Sequence, residues 1–282
     1  MSTVAIIGAA GVQGAQVGDR LRAAGHDVRL VETGDGVQKL RDRGLEPTTL
    51  EDAGRDADAV ILAVPDGAIK TVAAAIEQAL APGTVMVALD AAAPFAAPLC
   101  ARDDLSVFVA HPCHPSMFTT ALGPDGRRDY NGGIVPQDIV CCLASGDESA
   151  YAVGEELARD MFAPVARSFR ITLDQFILLE PTLSETTAAT LLLTIREAME
   201  EAVARGVPAD VAKAFMEGHI MIELAIFFGE LDASFSISAD YAVEQARDKL
   251  LAPDWRSVFE PDQVRAVAEA IADGKVPAVR IT

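Results

Sequence analysis

The chain has 282 residues, of which 50% are hydrophobic and only 5% aromatic, so it is long enough for two domains and too apolar to be disordered. Its formal net charge of −19 argues against nucleic acid and anionic membranes as partners and points to a small ligand entering a locally tuned site. Four cysteines, two of them adjacent at Cys141 and Cys142, make no disulfide framework, and a reducing cytoplasm is expected.

The apolar run VAIIG (4–8) begins at once, without the basic stretch of a signal peptide, and predicts a first strand ending in glycines. VQGAQVGDRLRAAG (12–25) has helical period and closes on Gly25. DVRLVE (27–32) and DAVILAVPD (58–66) read as the next strands, and IKTVAAAIEQAL (69–80) as a helix. TVMVALD (84–90), LSVFVAHP (105–112), DIVCCLAS (138–145) and APVARSFRI (163–171) predict four more strands, with a helix over 146–162. Apolar strands alternating with helices predict an α/β domain with a mostly parallel sheet covered on both faces. Beyond about residue 171 only helical patterns follow: 182–207, 209–231, SADYAVEQARDKLL and PDQVRAVAEAIADG. The expected architecture is therefore an N-terminal Rossmann doubly wound sheet over 1–170, followed by an all-helical domain over 171–282. FMEGHIMIELAIFFG (215–229) is the most membrane-like stretch, but Glu217, His219 and Glu223 interrupt it, so it reads as a buried helix. Mean hydropathy is +0.24, and a buried subunit interface is the economical place for the extra apolar surface.

GAAGVQG (8–14) lies between the first strand and the first helix, with G-x-x-G-x-x-G spacing. Glycines there allow a tight turn and close approach of a pyrophosphate to the helix N-terminus, so Gly8, Gly11, Val12, Gln13 and Gly14 are candidate dinucleotide contacts. Glu32 ends the second strand, where a carboxylate accepts from ribose hydroxyls and repels a 2′-phosphate; no Arg follows directly, which favours NAD over NADP. Asp66 in VPDGAI follows the third strand and is read either as a neighbour of the nicotinamide ribose or as a helix N-cap.

AHPCHPSMF (110–118) leaves a strand on the same crevice side. Its flanking prolines make an extended segment whose neighbours point apart, so Cys113 is a poor nucleophile. His111 and His114 either act on a substrate or a shared metal, or belong to a Pro-stiffened loop. Glu185 is the last residue of a Thr182–Glu185 capping box, or else a buried acid or metal ligand. His219 and Glu223 stand at i, i+4 on one helical face, as a hydrogen-bonded pair or as metal ligands.

Through GAAGVQG, VALD, AHPCHP and GHIMIELAIFFGE the chain resembles the phosphogluconate dehydrogenase and ketol-acid reductoisomerase superfamily over nearly its whole length. That resemblance implies a Rossmann domain, a helical domain that forms a homodimer, and a sugar-acid substrate bound in a cleft. It implies NAD-dependent oxidation of a branched sugar acid with rearrangement of the carbon skeleton, assisted by a divalent metal on His114, Glu185, His219 and Glu223. Glu185 and His111 are then the catalytic proton carriers. A histidine in place of one carboxylate favours zinc, with magnesium as second choice. Leu178 stands where phosphogluconate dehydrogenases carry a catalytic lysine, which counts against a lysine-dependent decarboxylation. The alternatives are a β-hydroxyacid or polyol dehydrogenase without rearrangement, and a non-catalytic NAD sensor.

Overall fold

The computed structural model describes residues 1–119, 123–126 and 128–276. Seven strands, β1 Thr3–Ile7, β2 Asp27–Val31, β3 Ala59–Leu62, β4 Val85–Ala88, β5 Ser106–Pro112, β6 Gln137–Ser145 and β7 Val165–Arg170, form one sheet in the order β2-β1-β3-β4-β5-β6-β7. All neighbours are parallel except β5 and β6. The chain winds from β1 outward to β2 and then back to β3 on the other side of β1, so the topological switch point falls between β1 and β3. Ligand crevices form there, at the carboxyl ends of the strands.

The helices before β7 are α1 Val12–Ala23, α2 Asp35–Asp42, α3 Leu50–Gly54, α4 Asp66–Ile76, α5 Ala92–Ala96, α6 Gly123–Gly126 and α7 Ala150–Met161. After it come α8 Leu173–Ile177, α9 Thr190–Ala204, α10 Ala209–Phe227, α11 Ile237–Leu250 and α12 Pro261–Ala272. Alternating strand side chains feed two apolar layers. On one face Val4 and Ile6 pack with Val17 and Leu21 of α1, Leu40 of α2 and Leu157 and Met161 of α7. On the other face Ala5 and Ile7 pack with Ile69 and Ile76 of α4, Phe176 of α8 and Val264, Ala268 and Ala272 of α12. Side chains as fully buried as Ile6, Leu21 and Ile61 contribute roughly 1.5–3 kcal/mol each.

The chain forms two compact units, one of residues 1–181 with the chain from Val264 on, the other of Thr182–Gln263. This division differs from a boundary near 170. Phe176, Ile177 and the buried face of α12 belong to the same apolar layer as the sheet, so α8 and α12 go with the strands. Thr172 and Gln175 open α8 with a reciprocal capping box. The chain then leaves helical geometry at Glu180 (φ −143°, ψ 123°), and the Glu180–Pro181 peptide is cis.

In the second unit, α9 and α10 pack as a pair joined by a turn in which Gly206 has φ 103°. A groove of about 370 Å³ between them is lined by Ile195, Met199, Val211, Phe215 and Met216, among others. The expectation that 215–229 is a buried helix does not hold for the single chain: Phe227 and Phe228 of this stretch are each 70% exposed, and His219 and Glu223 are exposed as well. The helix is apolar nearly all round, and its neighbours in the unit cover only part of that surface. No helix of the described residues is long and apolar enough to cross a membrane. Cys100, Cys113, Cys141 and Cys142 are all free thiols.

Candidate active site

The glycine loop sits at the switch point. Gly8 has φ 87°, and a Cβ on it would lie 2.2 Å from the Ala63 carbonyl oxygen just past β3, so only glycine fits. A Cβ on Gly14 would meet the Gly8 oxygen at the same distance, which explains how α1 starts so close under the loop. Gly11 is the N-cap of α1 without a side-chain cap, leaving first-turn amides at Val12, Gln13 and Gly14 for a ligand. Val12 itself is 78% exposed. Glu32 is anchored beside this loop: Oε1 accepts from the Ala10 N–H at 2.8 Å and Oε2 from the Thr33 N–H at 3.1 Å. A carboxylate oxygen has a second lone pair, so both remain acceptors for hydroxyls.

The chemical end lies two strands over. His111 closes β5, and its Nε2 is 2.9 Å from Glu180 Oε2, with both side chains 18% exposed. Its Nδ1 lies 2.8 Å from the Pro112 carbonyl oxygen. A carbonyl only accepts, so Nδ1 carries a proton and Nε2 is the nitrogen that titrates against Glu180. Burial opposes charge on His111, but the hydrogen bond and charge of Glu180, with smaller help from Pro112 and Asp90, outweigh it and raise the imidazole pKa. Burial likewise pushes Glu180 up, and the bond and charge of His111, aided by His114, hold it below the usual carboxylate range. Both shifts run in the direction that favours an imidazolium–carboxylate pair.

Two further carboxyls face this pair. Burial raises Asp66, the first residue of α4, against its own backbone hydrogen bond and with some repulsion from Glu180. Asp90, just beyond β4, is pushed up to about 7 by burial, with repulsion from Asp66 and Glu180 added, against a bond from the Ala92 N–H and the attraction of His111. His114 has φ 60°, and its ring stands edge-on to His111 with centroids 5.9 Å apart. Burial and His111 lower its pKa, so it is a neutral imidazole at pH 7. A cleft of about 330 Å³ joins the two ends of the site: Val12 and Gln13 of the glycine loop, Leu89, His111, His114 and Asn131 all line it. Of the residues expected from sequence, His111, His114, Val12 and Gln13 thus line one cleft.

The other predicted residues belong to the second unit. Glu185 lies in the helical segment Leu178–Ala189. His219 and Glu223 lie on α10, where His219 Nδ1 bonds to the Phe215 carbonyl at 2.9 Å and its ring stacks on Phe215 at 3.8 Å. Among the described residues no group of three or more His, Cys, Asp or Glu is arranged to hold a metal ion. Asp90 and Glu180 are not among the site residues expected from sequence. The signal for Asp90 was an acid closing the apolar strand VALD; for Glu180 it was a carboxylate inside FILLEP.

A glycine turn at the switch point of a mostly parallel sheet, with a half-buried imidazole–carboxylate pair whose imidazole lines the adjoining cleft, defines a dinucleotide-dependent oxidoreductase. Residues 120–272 match the model of the phosphogluconate dehydrogenase (decarboxylating) C-terminal domain, and residues 1–133 that of the acetohydroxy acid isomeroreductase NADPH-binding domain. The chain is 46% identical to a D-apionate oxidoisomerase of Rhizobium rhizogenes over 96% of this chain and 100% of that one. It is 44% identical to one of Cupriavidus necator, covering 93% of this chain and 96% of that one. The chain belongs to the D-apionate oxidoisomerase family, and it is an oxidoreductase. A solved semialdehyde dehydrogenase NAD-binding protein from Cupriavidus necator, in complex with calcium and NAD, is similar with TM-score 0.93 and 43% identity, covering 96% of this chain and 99% of that one. An NADH-preferring ketol-acid reductoisomerase from an uncultured archean shares the fold, with TM-score 0.68 at 17% identity.

Proposed function

We propose that this protein oxidises D-apionate with NAD and rearranges the carbon skeleton in the same active site, giving 3-oxo-isoapionate. The observation that carries this reading is the half-buried His111–Glu180 pair, whose His111 lines a cleft shared with Val12 and Gln13 of the glycine loop. The near full-length similarity to D-apionate oxidoisomerases supports the substrate, and the NAD complex of the similar solved protein supports the cofactor. One matching model describes an NADPH-binding domain, yet Glu32 at the end of β2 disfavours a 2′-phosphate, so NAD is the better reading.

Bound NAD would supply the hydride acceptor. Gly8, Gly11, Val12, Gln13 and Gly14 would hold its pyrophosphate, Glu32 its adenosine ribose, and Asp66 the ribose next to the nicotinamide. As hydride leaves the substrate carbon, the hydroxyl proton passes to the His111–Glu180 pair. Nδ1 is fixed on the Pro112 carbonyl, so the proton arrives at Nε2. The pair must lose its resting proton first, and turnover rises with pH through the raised pKa of His111.

The divalent metal, zinc before magnesium, has His114, Glu185, His219 and Glu223 as its proposed ligands. On α10, His219 Nε2 and the Glu223 carboxylate are two donors, fewer than a zinc site takes, and the described residues place no group of three. We also infer a homodimer, because the exposed apolar residues of α10 need cover and a second copy is the partner always present; light scattering on the purified protein tests it.

The deciding experiment is NADH formation from D-apionate, with and without chelator, and the carbon skeleton of the product by NMR. A plain keto acid would support a simple dehydrogenase instead, and no NADH at all would remove the enzymatic reading of this substrate. Glu185→Gln should abolish turnover with NAD binding intact; unchanged turnover takes Glu185 out of the site.

A further inference from the structure

Asp90 is a polar side chain at the centre of the strand ends that the oxidation does not use. Continuing the parallel registers two residues past Leu62↔Ala88 and Ala88↔Val109 sets Asp90 level with Val64 on one side and His111 on the other. Its Oδ1 accepts from the Ala92 N–H at 2.6 Å, which holds the carboxyl at the end of β4, while Oδ2 takes no hydrogen bond among the described residues. The groups facing it are Asp66 from the start of α4, Glu180 from beyond α8 and His111 from β5. Three carboxyls thus share one imidazole, and that imidazole is already committed to Glu180 at 2.9 Å. Full ionisation would leave two partly buried carboxylates without a cation, which favours a proton on one of them.

We propose that Asp90 is the acid of the isomerisation half of the reaction, its carboxyl giving a proton to the substrate carbonyl oxygen while His111 and Glu180 serve the oxidation. This rests on the oxidoisomerase reading above. Skeletal rearrangement needs two proton sites. The bond from the migrating group to its carbon breaks as that group bonds to the neighbouring carbonyl carbon. The hydroxyl on the carbon it leaves becomes the new carbonyl, and its proton goes to the His111–Glu180 pair, which has by then released the proton of the oxidation to solvent. The π pair of the old carbonyl takes the proton of Asp90. The pair then returns a proton to Asp90, and no electrons are gained or lost. Burial supports this role, since it keeps Asp90 protonated up to about pH 7.

The test is Asp90→Asn, which retains an acceptor for the Ala92 N–H. With D-apionate and NAD, wild type should form NADH and rearranged product in equal amounts. The variant should still form NADH, while rearrangement falls by about 10²-fold or more and the unrearranged keto acid is released. In wild type the rearranged fraction should fall as pH rises past about 7, and this limb should be absent from the variant. Rearranged product still equal to NADH in Asp90→Asn overturns the proposal, and so does a parallel loss of both. If Asp90→Asn does not fold, Asp90→Ser carries the same comparison. A wild type that forms NADH without rearrangement overturns the oxidoisomerase reading, and this proposal with it, whatever the variants do.

Discussion

The two ends of the sheet both gather carboxylates, and they treat them in opposite ways. At the amino ends of β3, β4 and β5, a cleft of about 490 Å³ is lined by Asp56, Asp58, Asp103, Asp104 and Asp147. Each acid with a defined partner there meets an ordinary surface one: Asp104 pairs with Arg102, Asp147 bonds to Ser149, and Asp58 accepts from the Thr3 N–H. The Arg102 and Ser149 bonds hold Asp104 and Asp147 below the usual carboxylate range. At the carboxyl ends, Asp66 and Asp90 are driven the other way by burial, and Glu180 stays ionised because His111 faces it. The lower cleft is larger and has more acids, yet Asp104 and Asp147 there are solvated and stay ionised at neutral pH. Chemistry follows from desolvation beside a titrating partner, not from the number of carboxylates.

The sharpest way to break this contrast is to separate the buried pair. His111→Ala removes the titrating nitrogen and should lower turnover by about 10²–10⁴-fold, with NAD binding retained in a fluorescence titration. Glu180→Gln is the more informative variant. In wild type Glu180 overcomes burial and raises the His111 pKa, so the rising limb of the pH–rate profile lies above the ordinary imidazole range. Without that charge burial is the main influence left, the His111 pKa drops, and the limb moves to lower pH as the rate falls. A limb that stays in place in Glu180→Gln would mean that another group titrates in turnover.

A somewhat smaller effect is expected at the glycine loop. Gly8→Ala imposes a side chain at φ 87° and 2.2 Å from the Ala63 oxygen. The backbone conformation alone costs about 1–3 kcal/mol, and the clash adds to it. The melting temperature should fall by several degrees and NAD binding should be lost. A variant that binds NAD normally would show that the loop can shift away from β3.

How far these features could be read from sequence depends on how local their physics is. Most of the strands were legible because they are short apolar runs closed by Gly, Pro or an acid, β7 with its two arginines being the exception. The glycine loop and Glu32 were legible because spacing within one strand–helix–strand unit determines them. The role of Asp90 was not, because it follows from the register of β4 against β5, which no residue near Asp90 encodes. The pairing of Glu180 with His111 joins two distant segments, and a carboxylate in an apolar run looks alike whether it meets a histidine or a cap. The return of α12 to the sheet was illegible for a related reason: an apolar helical face says that it is buried, not against what. The same ambiguity made the apolar stretch of α10 read as core, although much of it is exposed in the single chain.

The smallest expected effect is the control for the whole contrast. Asp103→Asn with Asp104→Asn removes two exposed acids from the larger cleft, one of which, Asp104, is bonded to Arg102. Arg102 keeps its bonds to the Glu77 and Leu80 carbonyls, so the loop stays anchored. Turnover, NAD affinity and the pH–rate profile should all match wild type. Asp104 is held below the usual carboxylate range in the fold, so its stabilising contribution is present above that range and fades as pH falls through its lowered pKa. Any loss of thermal stability in the double variant should therefore appear at neutral pH and vanish in acid. A change in turnover instead would mean that the lower cleft is coupled to the chemistry, and that desolvation is not what distinguishes the two ends.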